Sequence, residues 1–268
     1  MSDVAGTGGA GLAGRVVLIT RPAGQGERLA EMLRAAGGKP FVFPTLEIEP
    51  VAPPVRVAAL LQHPETFDLA VFVSANAVAH GLPLILGAGA WPPALRAAAV
   101  GARTAAALRE RGVADVLAPR TGADSEALLA LEAIQDMRGR RVLIFRGVRG
   151  RELLAETLRA RGAEVHYVEC YRRSKPAADP EPLRARVRRG ELDAVTAASA
   201  EALANLVDLA GADVAPQLLE VPLFVTHENI GLAAARLGFR RVQVTSTSDA
   251  GLLEGMMAFF GAPARGCC

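Results

Sequence analysis

The sequence predicts an α/β protein of two doubly wound domains, each a parallel sheet with helices on both faces. Three observations predict it. Residues 14–37, GRVVLITRPAGQGERLAEMLRAAG, return at 139–162 as GRRVLIFRGVRGRELLAETLRARG, identical without a gap at more than half of the positions; Arg21 falls on Arg146, Glu27 on Glu152 and Gly37 on Gly162. A register kept over that length marks a duplication. The apolar runs VVLIT and LAVFVS are continuous rather than alternating, as in strands buried on both faces of a parallel sheet. Each run ends in a turn and leads into an amphipathic stretch, and strands alternating with helices build doubly wound sheets.

The elements follow in order at a shift of 125 residues. VVLIT (16–20) precedes GERLAEMLRAAG (26–37), whose apolar residues recur at helical spacing. LAVFVS (69–74) precedes ANAVAHGL, and the shift lays this segment on DAVTAASAEALANL from Asp193, so that Ser74 meets Ser199. AAAVG (97–101) precedes ARTAAALRERG, and VGARTAAALRERG falls on VTHENIGLAAARLG with a one-residue adjustment. ADVLAP (114–119) precedes DSEALLALEAI. The grammar gives five strands per repeat, with repeat one over about 14–138 and repeat two over 139–268. A chain of 268 residues has room for two domains of about 100–150 residues.

Composition narrows the function. Hydrophobic residues make up 51% and charged residues 22%, as in a globular protein with full cores. The net charge is only +2, the arginines are dispersed, and aromatics are 4%, which argues against a nucleic-acid binder. Three cysteines, Cys170 and the pair Cys267 and Cys268, form neither a disulfide framework nor a metal-ligand spacing, which fits a reducing cytoplasm. No apolar run approaches the roughly 18 residues of a membrane span. The opening MSDVAGTGGAGLAG lacks a signal-peptide pattern and reads as a flexible leader over 1–13.

In doubly wound sheets ligands bind beyond the carboxyl ends of the strands, where helix N-termini attract anions. The candidates are therefore the residues just after each strand. Arg21 and Arg146 either bind an anion or brace the following turn. Ser74, Ser125 and Ser199 bind a ligand or cap helices. His227, beside Glu228 and Asn229, is a ligand contact or a helix-start residue next to an Asn cap. His63 and His80 read as surface residues, and His166 as strand filling. Near Gly24, AGQGERL has Leu29 where a dinucleotide fingerprint needs its third glycine. Tyr171 is one of two tyrosines and ends VHYVECY, opposite Leu46 of the first copy. It is a packed aromatic, or a phenol presented to a cleft as donor or weak acid.

Taken together, LITRP, FVSANAV, AVGARTAAALRERG, GADSEALL, VLIFRGVRGRELLAETLRARGAEV and VECYRR resemble the uroporphyrinogen-III synthase family from about Arg15 to Phe260. The resemblance implies two flavodoxin-like domains with an exchanged crossover. Residues 1–46 and 175–268 would form one domain and 47–174 the other, joined by a two-stranded linker of FPTLEIEPVAPP and ECYRRSKPAADP. It implies a cyclising lyase of haem-type tetrapyrrole biosynthesis. Such an enzyme takes the polyanionic linear tetrapyrrole hydroxymethylbilane, removes its terminal hydroxyl as water and inverts the last pyrrole through a spiro intermediate, without metal or organic cofactor. Tyr171 matches the tyrosine proposed to assist departure of the hydroxyl. Thr104, Ser74 and Ser199 match binding positions, with Asn76, Ser125, Arg21, Arg146, Arg149, His227 and Asn229 as further substrate contacts. Where family members carry a second Gly-x-x-Thr segment, this chain reads THENIG. A monomer is the simplest expectation. The rival readings are a bilobal anion-binding protein without catalysis, which normally carries an export signal, and a nucleotide-dependent transferase, which should show a complete phosphate loop.

Overall fold

The computed structural model describes residues 11–87, 89–122 and 124–262. Repeat one contributes β1 (Val16–Ile19), α1 (Glu27–Ala35), β2 (Lys39–Val42), β3 (Glu47–Pro50), α2 (Val55–Leu60), β4 (Leu69–Phe72), α3 (Ala75–Leu86), β5 (Arg96–Ala99), α4 (Ala102–Arg109), β6 (Val116–Leu117) and α5 (Ser125–Leu129). Repeat two contributes β7 (Arg141–Gly147), α6 (Leu153–Ala160), β8 (Glu164–Ser174), α7 (Glu181–Arg188), β9 (Ala194–Ala197), α8 (Ala200–Ala210), α9 (Ala215–Leu218), β10 (Leu223–Val225), α10 (Glu228–Leu237), β11 (Val242–Val244) and α11 (Asp249–Gly261).

The strands form two sheets, ordered β11-β10-β9-β1-β2 and β3-β8-β7-β4-β5-β6. The first pairs the two opening strands of repeat one with the last three of repeat two, and the second does the reverse. Counted within a repeat, both orders are 2-1-3-4-5, with parallel pairing throughout the registers from β1 to β11 apart from the added edge strand β3. That order is one of the two common doubly wound arrangements. The chain accordingly divides into two compact units, Met1–Glu47 with Ser174–Cys268, and Ile48–Arg173.

Polar brackets and side-chain volumes both match this exchange. Asp193 accepts from Arg15 Nη1 at 2.7 Å and from the Val16 amide at 2.8 Å. Asp68, its counterpart, accepts from Arg140 Nη1 at 2.7 Å and from the Arg141 amide at 2.8 Å. Each aspartate thus holds the start of the other repeat's first strand. In the second unit the fully buried Phe145 of β7 packs under Gly81 of α3, where a Cβ would stand 2.4 Å from the Phe145 ring. The counterparts of this pair are Thr20 and Leu206. An unexchanged repeat would set Thr20 against Gly81 and Phe145 against Leu206, leaving a void in one core and overfilling the other; both faults are destabilising.

Each sheet has a core on both faces, as the continuous apolar strands require. In the second unit Phe72, Phe145 and Val168 pack with Leu82 and Leu108 on one face, while Val71, Val142 and Ile144 pack with Leu154 and Leu158 on the other. In the first unit Leu18, Val195 and Val225 meet Leu203 and Leu206, and Val17, Ile19 and Phe224 meet Leu29, Leu33 and Met256. The flexible leader expected over 1–13 is corrected at its last residues. Residues 1–10 lie outside the described residues, but Leu12 is buried beside Leu33 and Met256, and Gly11 lies against α11. The C-terminal cysteine pair also lies outside the described residues.

Candidate active site

Tyr171 lies near the end of β8 in the second unit, and its ring is only 3% exposed. Its hydroxyl is 3.0 Å from Ser74 Oγ, and either atom could be the donor. Ser74 is placed by its other role. As N-cap of α3 it accepts from the Ala77 amide at 3.0 Å, satisfying a donor that the first helical turn leaves unpaired. With a lone pair thus occupied, the serine hydroxyl can donate to the phenol oxygen or accept from it. The His80 ring, one and a half turns along α3, is tilted beside Tyr171 with centroids 6.0 Å apart. His80 is half-buried, not a surface residue as its position in the sequence suggested.

At the carboxyl ends of β4, β5 and β7, on the opposite sheet face, is a cavity of about 250 Å³ lined by Val73, Val100, Ser125, Arg146, Leu154 and Tyr167 among others. Arg146 is 4% exposed and its donors are turned inward. The guanidinium reaches the carbonyls of Gly147, Gly150 and Arg151 and pairs with Glu152 at 2.9 Å. It also lies 4.5 Å from the Tyr167 ring centroid. The loop after β7 is wrapped round this charge, and within it Arg149 is exposed with φ 62°, a left-handed conformation rare outside glycine. Glu152 bridges Arg146 and the Tyr167 hydroxyl; the hydrogen bond from Tyr167, followed by that from Arg146, holds its carboxyl below the usual range. Burial, followed by that same bond, pushes the Tyr167 phenol up.

The other candidates occupy helix starts. Thr104 is buried in the first turn of α4, and Asn76 is half-buried in that of α3. Ser125 does not cap α5: Asp124 does, accepting from the Ala127 amide at 2.8 Å. In the first unit Ser199 caps α8 by accepting from Ala202 at 3.1 Å, and Arg21 pairs with Asp249 at 2.6 Å. His227 is itself the N-cap of α10, its Nδ1 accepting from the Asn229 amide at 3.3 Å, so Asn229 is not the cap. Both are exposed. Among the described residues no group of three or more His, Cys, Asp or Glu side chains is placed to hold a metal ion. No helix among them is long and apolar enough to cross a membrane.

The family model described as uroporphyrinogen-III synthase HemD matches residues 27–254. The chain belongs to the uroporphyrinogen-III synthase family. The synthase of Salmonella typhimurium is 36% identical over 244 residues, which are 87% of this chain and 96% of that protein. The Escherichia coli synthase is 34% identical over 240 residues, again 87% and 96%. The fold is likewise that of the family's solved members. A uroporphyrinogen-III synthetase from Helicobacter pylori superposes with TM-score 0.61 at 13% identity, covering 91% of this chain and 99% of that one. A mutant synthase from Thermus thermophilus gives TM-score 0.59 at 20% identity, covering 91% and 98%.

Two features around Tyr171 escape sequence reasoning. His80 carried no signal, since its approach to Tyr171 depends on how α3 lies on the sheet. Gly147 reads in the sequence as part of the turn after the strand, where glycine is ordinary, yet it is the last residue of β7 and its backbone lies against the Tyr171 ring: a Cβ there would stand 2.8 Å from ring atoms Cε2 and Cζ.

Proposed function

We propose that this protein is a uroporphyrinogen-III synthase, a cyclising lyase of porphyrin and haem biosynthesis that converts hydroxymethylbilane to uroporphyrinogen III. The observation that carries the assignment is the 36% identity to a synthase over almost the whole of both chains. The substrate is a linear tetrapyrrole whose acetates and propionates make it polyanionic. Exposed amides at helix N-termini, neighbouring hydroxyls and a few arginines are chemically suited to such carboxylates.

In this reading Tyr171 is the catalytic residue. Its phenol donates to the terminal hydroxyl as that group departs as water, and the Ser74 hydroxyl supports the donor. Because the substrate cyclises unaided to the wrong isomer, the protein's main task is orientation: holding the chain ends so that attack closes the inverted ring. Ser74, Asn76, Thr104, Ser125 and Arg149 of the second unit, and Arg21, Ser199, His227 and Asn229 of the first, are assigned to binding. Arg146, its donors spent on the loop after β7, is assigned to shaping that loop. We place the enzyme in the cytoplasm, as a monomer. Tyr171→Phe should slow formation of isomer III by about 10²-fold or more, the scale of a lost general acid, while leaving the unfolding transition in place. An unchanged rate would remove the phenol from the mechanism.

A further inference from the structure

We infer that Cys170 and Gly147 are positioning residues for catalysis: a one-residue slip in the β7–β8 ladder turns Tyr171 to the face where Ser74 waits, and these two residues hold the slip. The inference rests on the reading of Tyr171 as the catalytic phenol.

Along β8 the side chains first alternate. His166 and Val168 face the core around Phe67 and Phe145, while Val165 and Tyr167 face the core around Ile144 and Leu154. Continued alternation would send Cys170 to the first face and Tyr171 to the second, with Tyr167 and away from α3. The register does not continue. Arg146 is opposite Glu169, and the next residue, Gly147, is opposite Tyr171, so Cys170 is the extra residue of a bulge. Consecutive residues Cys170 and Tyr171 consequently lie in one core cluster, and the phenol meets Ser74.

A bulge breaks the ladder and leaves backbone groups to be satisfied. The buried Cys170 thiol points to two carbonyls, Arg146 O at 3.5 Å on the neighbouring strand and Ala77 O at 3.8 Å in the first turn of α3. It therefore ties the slipped strand to the helix that Ser74 caps. The first copy places the same tie at the equivalent position. Thr45, the counterpart of Cys170, donates to the carbonyl of Ala202, the counterpart of Ala77, at 2.8 Å. Beyond Thr45, however, the first copy carries Leu46 and no hydroxyl. The tie thus belongs to the shared scaffold, and the phenol is an addition to one copy. Gly147 completes the device. With a Cβ 2.8 Å from the Tyr171 ring and 3.2 Å from its hydroxyl, any side chain would push the phenol from Ser74.

The test compares Cys170→Ala, which removes the donor, with Cys170→Ser, which keeps one in nearly the same volume, and adds Gly147→Ala. Each is assayed with hydroxymethylbilane for kcat and KM of isomer III formation, alone and with Tyr171→Phe, after thermal melting has established the folded fraction. Cys170→Ala and Gly147→Ala should lower kcat on the order of tenfold to a hundredfold, the scale for a reacting group displaced by about 1 Å. KM should stay near wild type, Cys170→Ser should recover most of kcat, and neither loss should appear in the Tyr171→Phe background. If Tyr171→Phe is slow but kcat per folded molecule is unchanged in both alanine variants, or falls equally without the phenol, or Cys170→Ser is no better than Cys170→Ala, the positioning role is overturned. Should one alanine variant fail to fold, the other decides by the same criteria. A wild-type rate in Tyr171→Phe alone overturns the reading of Tyr171 and this inference with it.

Discussion

Replacing Gly81 by alanine sets two effects against each other. Alanine is the better helix former, and within α3 the exchange should gain about 0.5–1 kcal/mol. Against this, the new Cβ would stand 2.4 Å from Phe145 Cδ1, 3.1 Å from its Cγ and 3.2 Å from Cys170 Sγ. Phe145 has nowhere to retreat, being fully buried and stacked on Phe72 with centroids 4.6 Å apart and planes at 9°. Overpacking costs about 1–3 kcal/mol, and a contact this short against an immobile ring takes the upper part of that range, about 2–3 kcal/mol, so a net loss of about 1–2.5 kcal/mol is expected. Trp91, the chain's one tryptophan, lies 6.4 Å from the Phe72 ring and reports on this core by fluorescence during urea and thermal unfolding. Introducing Phe145→Leu should shrink the penalty of Gly81→Ala, because a smaller side chain leaves room for the methyl. A Gly81→Ala protein as stable as wild type or more so would refute the packing argument, and with it the volume match that selects the exchanged crossover.

The Asp68 bracket tests the same exchange through charge. Asp68→Ala should cost about 1 kcal/mol, and a double-mutant cycle should couple it to Arg140, with no coupling to Arg15, the partner an unexchanged repeat would supply. Urea midpoints of the single and double variants measure this, and coupling to Arg15 would contradict the topology. The backbone bond from Arg141, followed by Arg140, holds the Asp68 carboxyl below its usual 3.8. Its stabilising contribution is therefore complete above that value and lost as pH falls through the lower folded value. Wild type and Asp68→Asn should accordingly converge in stability under acid, and parallel curves would remove Asp68 from the pH dependence. Burial pushes the Cys170 thiol up to about 12. With Cys267 and Cys268 replaced by serine, the native protein should resist iodoacetamide at pH 8 and react only when unfolded; rapid native alkylation, followed by mass spectrometry, would show the tie to be open.

The duplication and the strand-and-helix grammar were legible because a parallel sheet demands continuous apolar runs and because both copies kept them. The exchange was not legible from that grammar, which either arrangement satisfies; it entered through the family resemblance. Its physical trace is a compensation of volumes, Phe145 with Gly81 where the other copy has Thr20 and Leu206, meaningful only once the facing residues are known. Tyr171 stood out as a break in symmetry opposite Leu46. The sequence does not reveal that it shares a face with Cys170, since a one-residue slip leaves no mark on composition or periodicity. The roles of Arg146 and Ser125 turned on loop geometry: Arg146 found carbonyls of its own loop, and Asp124 took the cap that serine would have supplied.

The most direct test is to incubate the protein with freshly generated hydroxymethylbilane, oxidise the products and resolve the porphyrin isomers. Isomer III should dominate and form faster than the spontaneous cyclisation. Isomer I alone, at the rate seen without protein, would contradict the assignment.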